Sequence, residues 1–76
     1  MPKLYVLDVP EFQPVIDALK SQKIATEYKG GYACFRSDHP IELARPKMHD
    51  ATWFGFPVAG IVGTLAEHTD TRFRLI

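Results

Sequence analysis

Three histidines and one cysteine are the side chains of this 76-residue chain best suited to metal, acid–base or nucleophilic chemistry. His39, His49 and His68 lie ten and nineteen residues apart. Neither interval is the i, i+4 step that sets two ligands on one helical face, and no acidic motif completes a set. No metal and no cofactor are therefore expected. All three histidines fall in predicted turns or loops, where a solvated imidazole is the plain expectation. His49 is the one that stands out, because it precedes an aromatic segment. Its neighbour Asp50 reads as a helix cap rather than as an acid–base partner, since adjacent side chains diverge. Cys34 stands two residues before Arg36, on the same face of an extended strand, and a cation there would favour the thiolate. A small, partly buried hydrophobe is the stronger reading of Cys34. The chain has no Gly-x-Ser-x-Gly elbow, phosphate loop or Gly-x-Gly-x-x-Gly turn, so hydrolase, nucleotidase and dinucleotide readings lack local support.

The aromatic segment is more informative. Ala51 to Gly63 carries one polar side chain, Thr52, and no charge, and it holds the only tryptophan. Neither the helical nor the extended period puts Trp53, Phe54 and Phe56 on one face. Some of that surface is thus expected to point away from the core, toward an interface or a pocket. The plainer expectation is that the segment plugs the open face of a small sheet. Trp53, Phe54, Phe56, His49 and Tyr28 are the candidate interface or ligand-contact residues. In the ligand reading, Tyr5, Tyr28 and Trp53 line a mostly apolar pocket, and an arginine or His49 orients the ligand.

Met1-Pro2, followed at once by a strand in a small chain, resembles the small tautomerases of the 4-oxalocrotonate type. That resemblance implies removal of Met1 and use of the Pro2 amine as a general base. It covers only about the first nine residues. The helix that follows is shorter than theirs, and no arginine here matches their substrate-binding arginines.

Composition bounds the rest. Hydrophobic residues make up 46% and charged residues 24%, a balance that argues for one folded domain over residues 1–76 and against disorder. Lys+Arg and Asp+Glu are equal at nine each, so no basic excess points to a general nucleic-acid binder. The Ala51–Gly63 run is shorter than a membrane span requires and is broken by Gly55 and Pro57. A lone thiol suits a reducing compartment, and the cytoplasm is expected. A domain this short, without a disulfide or structural zinc, has oligomerisation as its remaining route to added stability.

Elements to position these residues follow from periodicity. Leu4–Val9 reads as a strand covered on both faces, central in a sheet, and stopped by Pro10. Phe12, Val15, Ile16 and Leu19 form one stripe of a helix over about Glu11–Ser21. Ile24–Arg36 reads as a hairpin turning at Gly30-Gly31, with Tyr28 opposite Ala33 and Thr26 opposite Phe35. A short strand follows with Ile41, Leu43 and Arg45 on one face. A second short helix covers about Lys47–Phe54, capped by Asp50 and ended by a left-handed Gly55. Strands over about Ile61–Glu67 and Arg72–Ile76 close the chain. The order β-α-β-β-β-α-β-β, with so few helices, predicts an α+β fold built on a mostly antiparallel sheet. The function expected is a non-catalytic interaction module, homodimeric or bound to another protein, without nucleic acid or membrane. The alternatives are a binder of a small aromatic or apolar acid and a tautomerase-like enzyme.

Overall fold

Alternation of apolar and polar residues over short runs builds seven strands, and two short helices interrupt them, in a computed structural model that describes residues 2–76. The strands are β1 (Lys3–Leu7), β2 (Ala25–Lys29), β3 (Tyr32–Arg36), β4 (Ile41–Ala44), β5 (Gly60–Val62), β6 (Leu65–His68) and β7 (Arg72–Leu75). The helices are α1 (Gln13–Lys20), preceded by a 3-10 turn over Pro10–Phe12, and α2 (Asp50–Gly55), which runs on into a 3-10 turn over Phe56–Ala59. The fold is the expected α+β class with antiparallel pairing, but the strands form two sheets, ordered β2-β3-β1-β5 and β4-β7-β6.

In the first sheet β1 and β2 are joined through α1, and β3 lies between them, antiparallel to both. This is the split β-α-β arrangement, in which the crossover helix covers one face of the sheet. Val15, Ile16 and Leu19 of α1 are buried, as are Leu4, Val6, Ala33 and Phe35 on the facing side of the sheet. Lys23, at φ 60°, ends the helical stretch in the left-handed region. The hairpin register is the expected one, with Tyr28 opposite Ala33 and Thr26 opposite Phe35. In the second sheet Ile41, Leu43, Phe73 and Leu75 point inward and are buried, while Arg72, Arg74 and Glu42 alternate outward. The core residues of both sheets belong to one cluster.

Four expectations are corrected. β1 is central, but only one of its faces is covered: Leu4 and Val6 are buried, whereas Tyr5 is half-buried and Leu7 exposed. The strand expected over Ile61–Glu67 is two strands in different sheets, because Gly63 (φ 122°) turns the chain and Thr64 then exchanges two backbone hydrogen bonds with Ile76, at 2.6 and 2.8 Å. The second helix starts at Asp50, not Lys47, with His49 at its N-cap position, and Asp50 caps nothing. Its carboxylate instead accepts a 2.6 Å ion-paired hydrogen bond from Arg45 Nη2. Gly55 is right-handed, at φ −93° and ψ −13°, and leads into the 3-10 turn instead of terminating in the left-handed region.

The two glycines separate by a simple test. A Cβ on Gly63 would sit 2.5 Å from the Ile76 carbonyl oxygen, on a backbone that L-residues avoid, whereas a Cβ on Gly55 would meet nothing within 4 Å. Gly63→Ala is expected to cost about 2–3 kcal/mol, and Gly55→Ala to add about 0.4–1 kcal/mol. Urea midpoints at unchanged m report both. A Gly63→Ala protein as stable as its parent would mean that the β5–β6 break does not depend on this glycine.

Candidate functional site

The expected contact residues divide between the inside and the outside of the molecule. Trp53 and Phe56 are completely buried, and Phe56 stacks at 5.3 Å from Trp53 and 4.9 Å from Phe73. The indole Nε1–H of Trp53 donates to the Thr69 carbonyl at 2.7 Å, so its one polar atom is satisfied inside the core. Phe54 faces outward and is 46% exposed. His49 is exposed on the N-terminal side of α2. Tyr28, at the hairpin tip, accepts a 3.1 Å hydrogen bond from Lys20 Nζ. That bond and the attraction of the phenol oxygen raise the Lys20 pKa above its ordinary value. Pro2 is buried and its carbonyl accepts the Ser37 N–H, while Met1, whose removal the tautomerase resemblance requires, lies outside the described residues.

His68 is the histidine that joins the aromatic cluster, not His49. It lies at the end of β6, opposite Phe73, rather than in a turn. Its ring is 5.1–5.5 Å from those of Trp53, Phe54, Phe56 and Phe73, and Nε2 is 3.1 Å from the Trp53 carbonyl oxygen. The signal that could have found it is the five-residue spacing across the Thr69–Thr71 turn, which sets His68 against Phe73 once β7 is in register. Among the described residues no three His, Cys, Asp or Glu side chains are grouped to hold a metal ion. The ring has packing partners and one hydrogen bond, and therefore a structural role. The aromatic pairs among the described residues all belong to this cluster.

A different surface is open. The face of the first sheet opposite α1 carries, in register, Arg36 and Lys3 in one row, Glu27, Cys34 and Tyr5 in the next, and Lys29, Tyr32 and Leu7 in the third. These rows follow from the period of two: because Leu4, Val6, Ala33 and Phe35 point inward, their neighbours point out. A groove of about 460 Å³ lies along them, lined by three cations and one acid. Lys3 and Arg36 stand directly opposite each other on adjacent strands. The ion pairs of the described residues use Arg45, Arg72 and Arg74, and none reaches Lys3 or Arg36. Like charges directly across a sheet repel, so this row is a cationic pair with no ion-pair partner, although Glu27 lines the same groove and Asp38 lines a smaller hollow with Arg36. The Tyr5 ring beside it reaches over Gly60, 3.5 Å from where a Cβ on that glycine would stand. Tyr32 is 41% exposed. Cys34, half-buried, sits in the Tyr5 row, one row from Tyr32. The apolar pocket expected from Tyr5, Tyr28 and Trp53 is not formed: Tyr5 lines this charged groove, and Trp53 and Tyr28 do not.

Comparison of the chain with protein-family models, with curated proteins and with solved structures finds no match. The accessible surface is 4666 Å², close to the roughly 4,700 Å² that a monomeric protein of this mass exposes.

The two phenylalanines next to Trp53 should behave oppositely. Phe56→Ala removes a sealed core ring and is expected to cost about 3–5 kcal/mol. Phe54→Ala removes a ring already half in water and should cost about 1 kcal/mol or less. Equal losses of urea midpoint for the two variants would contradict this division of the segment.

Proposed function

We propose that the protein is a non-catalytic binding module whose open sheet face holds a small aromatic acid. The observation that carries this reading is the Lys3–Arg36 pair: two cations with no ion-pair partner among the described residues, directly opposite each other and next to an aromatic ring at the mouth of a groove. A carboxylate between the two would relieve their mutual repulsion and accept charge-assisted hydrogen bonds from both. The ring of the ligand would lie beside Tyr5, over Cys34, the small side chain opposite it on β3. The groove volume falls in the range of small-molecule sites. Among the described residues of the groove the polar groups are those of a binding surface: cations, hydroxyls and one carboxylate.

A homodimer through the Ala51–Gly63 segment has less to recommend it. With Trp53 and Phe56 inside, the large exposed side chains left on the segment are Phe54, Val58 and Val62. Three side chains fall far short of the roughly 800 Å² per partner of a stable interface. Pairing two copies through the open face would oppose one set of cations to the other.

A thermal-shift series with benzoate, phenylacetate and longer aryl carboxylates tests the reading. At about ten times the dissociation constant, a bound acid adds about 1.4 kcal/mol, and a domain of this size should melt several degrees higher. Arg36→Gln should abolish the shift without lowering the ligand-free melting temperature, since it removes one member of a repelling pair. No shift with any acid, or an unchanged shift in Arg36→Gln, would remove the basis for the proposal.

A further inference from the structure

We infer that the natural occupant of this face is a single-stranded nucleic acid, whose repeating unit is an aromatic ring joined to an anion. The inference rests on the reading of the face as an aromatic-acid site and extends it from one unit to a strand. Its grounds are the number of rings, their spacing and the position of the cations. Tyr5 lies on β1 and Tyr32 on β3, the two strands at the middle of the sheet. Tyr5 is opposite Cys34, and Tyr32 is two residues along from Cys34. The tyrosines are therefore diagonal neighbours whose backbone positions are roughly 7–8 Å apart, with the Tyr5 ring reaching outward over Gly60 of β5. Two adjacent bases of one extended strand would each meet one of these rings. Stacking of this kind accepts every base, because every base has a π-face.

The cations bracket the rings. Lys3 and Arg36 occupy the row at one end, and Lys29 stands opposite Tyr32 in the row at the other. Consecutive rows are two residues apart, so the end rows are roughly 14 Å apart along the strands. A strand crossing the sheet from Lys3 to Lys29 would meet cation, ring, ring and cation in turn. The one acid in the groove, Glu27, is on the edge strand β2 and not on the path between the tyrosines.

The neutral balance of the whole chain hides this distribution. Glu42 and Glu67 pair with Arg72 and Arg74 on the outer face of the second sheet, and Asp50 pairs with Arg45 beside α2. Those three acids cancel three arginines, which leaves six cations and six acids. Of these the groove is lined by three cations and one acid, so the open face is positive because the other five acids lie outside its lining. Duplex is a poor fit, since its bases are stacked on one another and their faces are closed to the tyrosine rings.

Fluorescence anisotropy of a 5′-labelled octauridylate or octathymidylate with the full chain tests the inference. Binding at 50 mM salt is expected in the range of about 10–100 µM, weakening with salt on a log–log slope of about −2 for three cations. The matching duplex should bind at least tenfold more weakly. Tyr5→Ala and Tyr32→Ala should each weaken oligonucleotide binding roughly 5- to 100-fold, while Tyr5→Phe and Tyr32→Phe, which keep the ring, restore it. Melting curves of the same variants separate lost binding from lost folding, and the exposed position of Tyr32 makes its variant the one to weigh if Tyr5→Ala unfolds. If aryl acids raise the melting temperature and oligonucleotides do not bind, the inference is wrong and the smaller-ligand reading stands. If neither binds, both fall. Equal binding of duplex, or of polyglutamate with no effect of the tyrosine variants, would make the face a site for charge alone and overturn the inference.

Discussion

Burying the indole of Trp53 ties together parts of the chain that are distant in sequence. Its ring rests on Phe56 and against His68, its Nε1–H ends on the Thr69 carbonyl, and the Arg45 guanidinium lies 5.9 Å from its centre. Arg45 in turn donates to the Asp70 and Met48 carbonyls and to Asp50. One aromatic ring and one guanidinium, with Nε1 of the first and both Nη atoms of the second hydrogen-bonded, thus join α2 and the β6–β7 turn to the end of β4. Phe56 extends the contact to Phe73 and so into the second sheet. The two sheets have no strand in common, and the plug joins them alongside their shared core cluster and the Thr64–Ile76 backbone pair.

A chain of 76 residues cannot supply a second layer for both faces of both sheets. The single longer helix goes to the inner face of the first sheet, and the Trp53 plug joins that layer to the inner face of the second. Each outer face is left to water, and the two are treated differently. On the second sheet, Arg72 and Arg74 alternate with buried Phe73 and Leu75 and face Glu42 and Glu67. Exposed pairs of this kind contribute little to stability, but they neutralise the surface. On the first sheet the cations stay unmatched and the exposed rings are tyrosines. The same shortage of covering layer that leaves both faces open thus yields one solvated face and one with unsatisfied electrostatics.

Much of the fold was legible in local pattern. The period of Phe12, Val15, Ile16 and Leu19 located α1, Gly30-Gly31 set the hairpin register, and the alternation of Phe73 and Leu75 with the arginines gave the last strand its inner face. The errors cluster where a distant partner decides. Asp50 looks like a cap until Arg45 claims its carboxylate. Gly55 looks like a terminator until Pro57 continues the turn as a 3-10 segment. Ile61–Glu67 looks like one strand until Thr64 meets Ile76.

The site divides along the same line. From the residues alone it followed that the chain is a small α+β domain, that its histidines lack metal spacing, and that Trp53, Phe54 and Phe56 must diverge. Those properties depend on residues within a few positions of one another, whose geometry the backbone period dictates. Only the tertiary structure decided which of the three rings is surface, that His68 rather than His49 joins them, and that Lys3 stands opposite Arg36 with Tyr5 and Tyr32 on the diagonal beyond. Lys3 and Arg36 are far apart in the chain and neutral in the overall balance, so neither spacing nor composition reveals them as a pair. They meet because the hydrophobic faces of β1 and β3 must share one core, and that fixes the register that sets the two charges side by side.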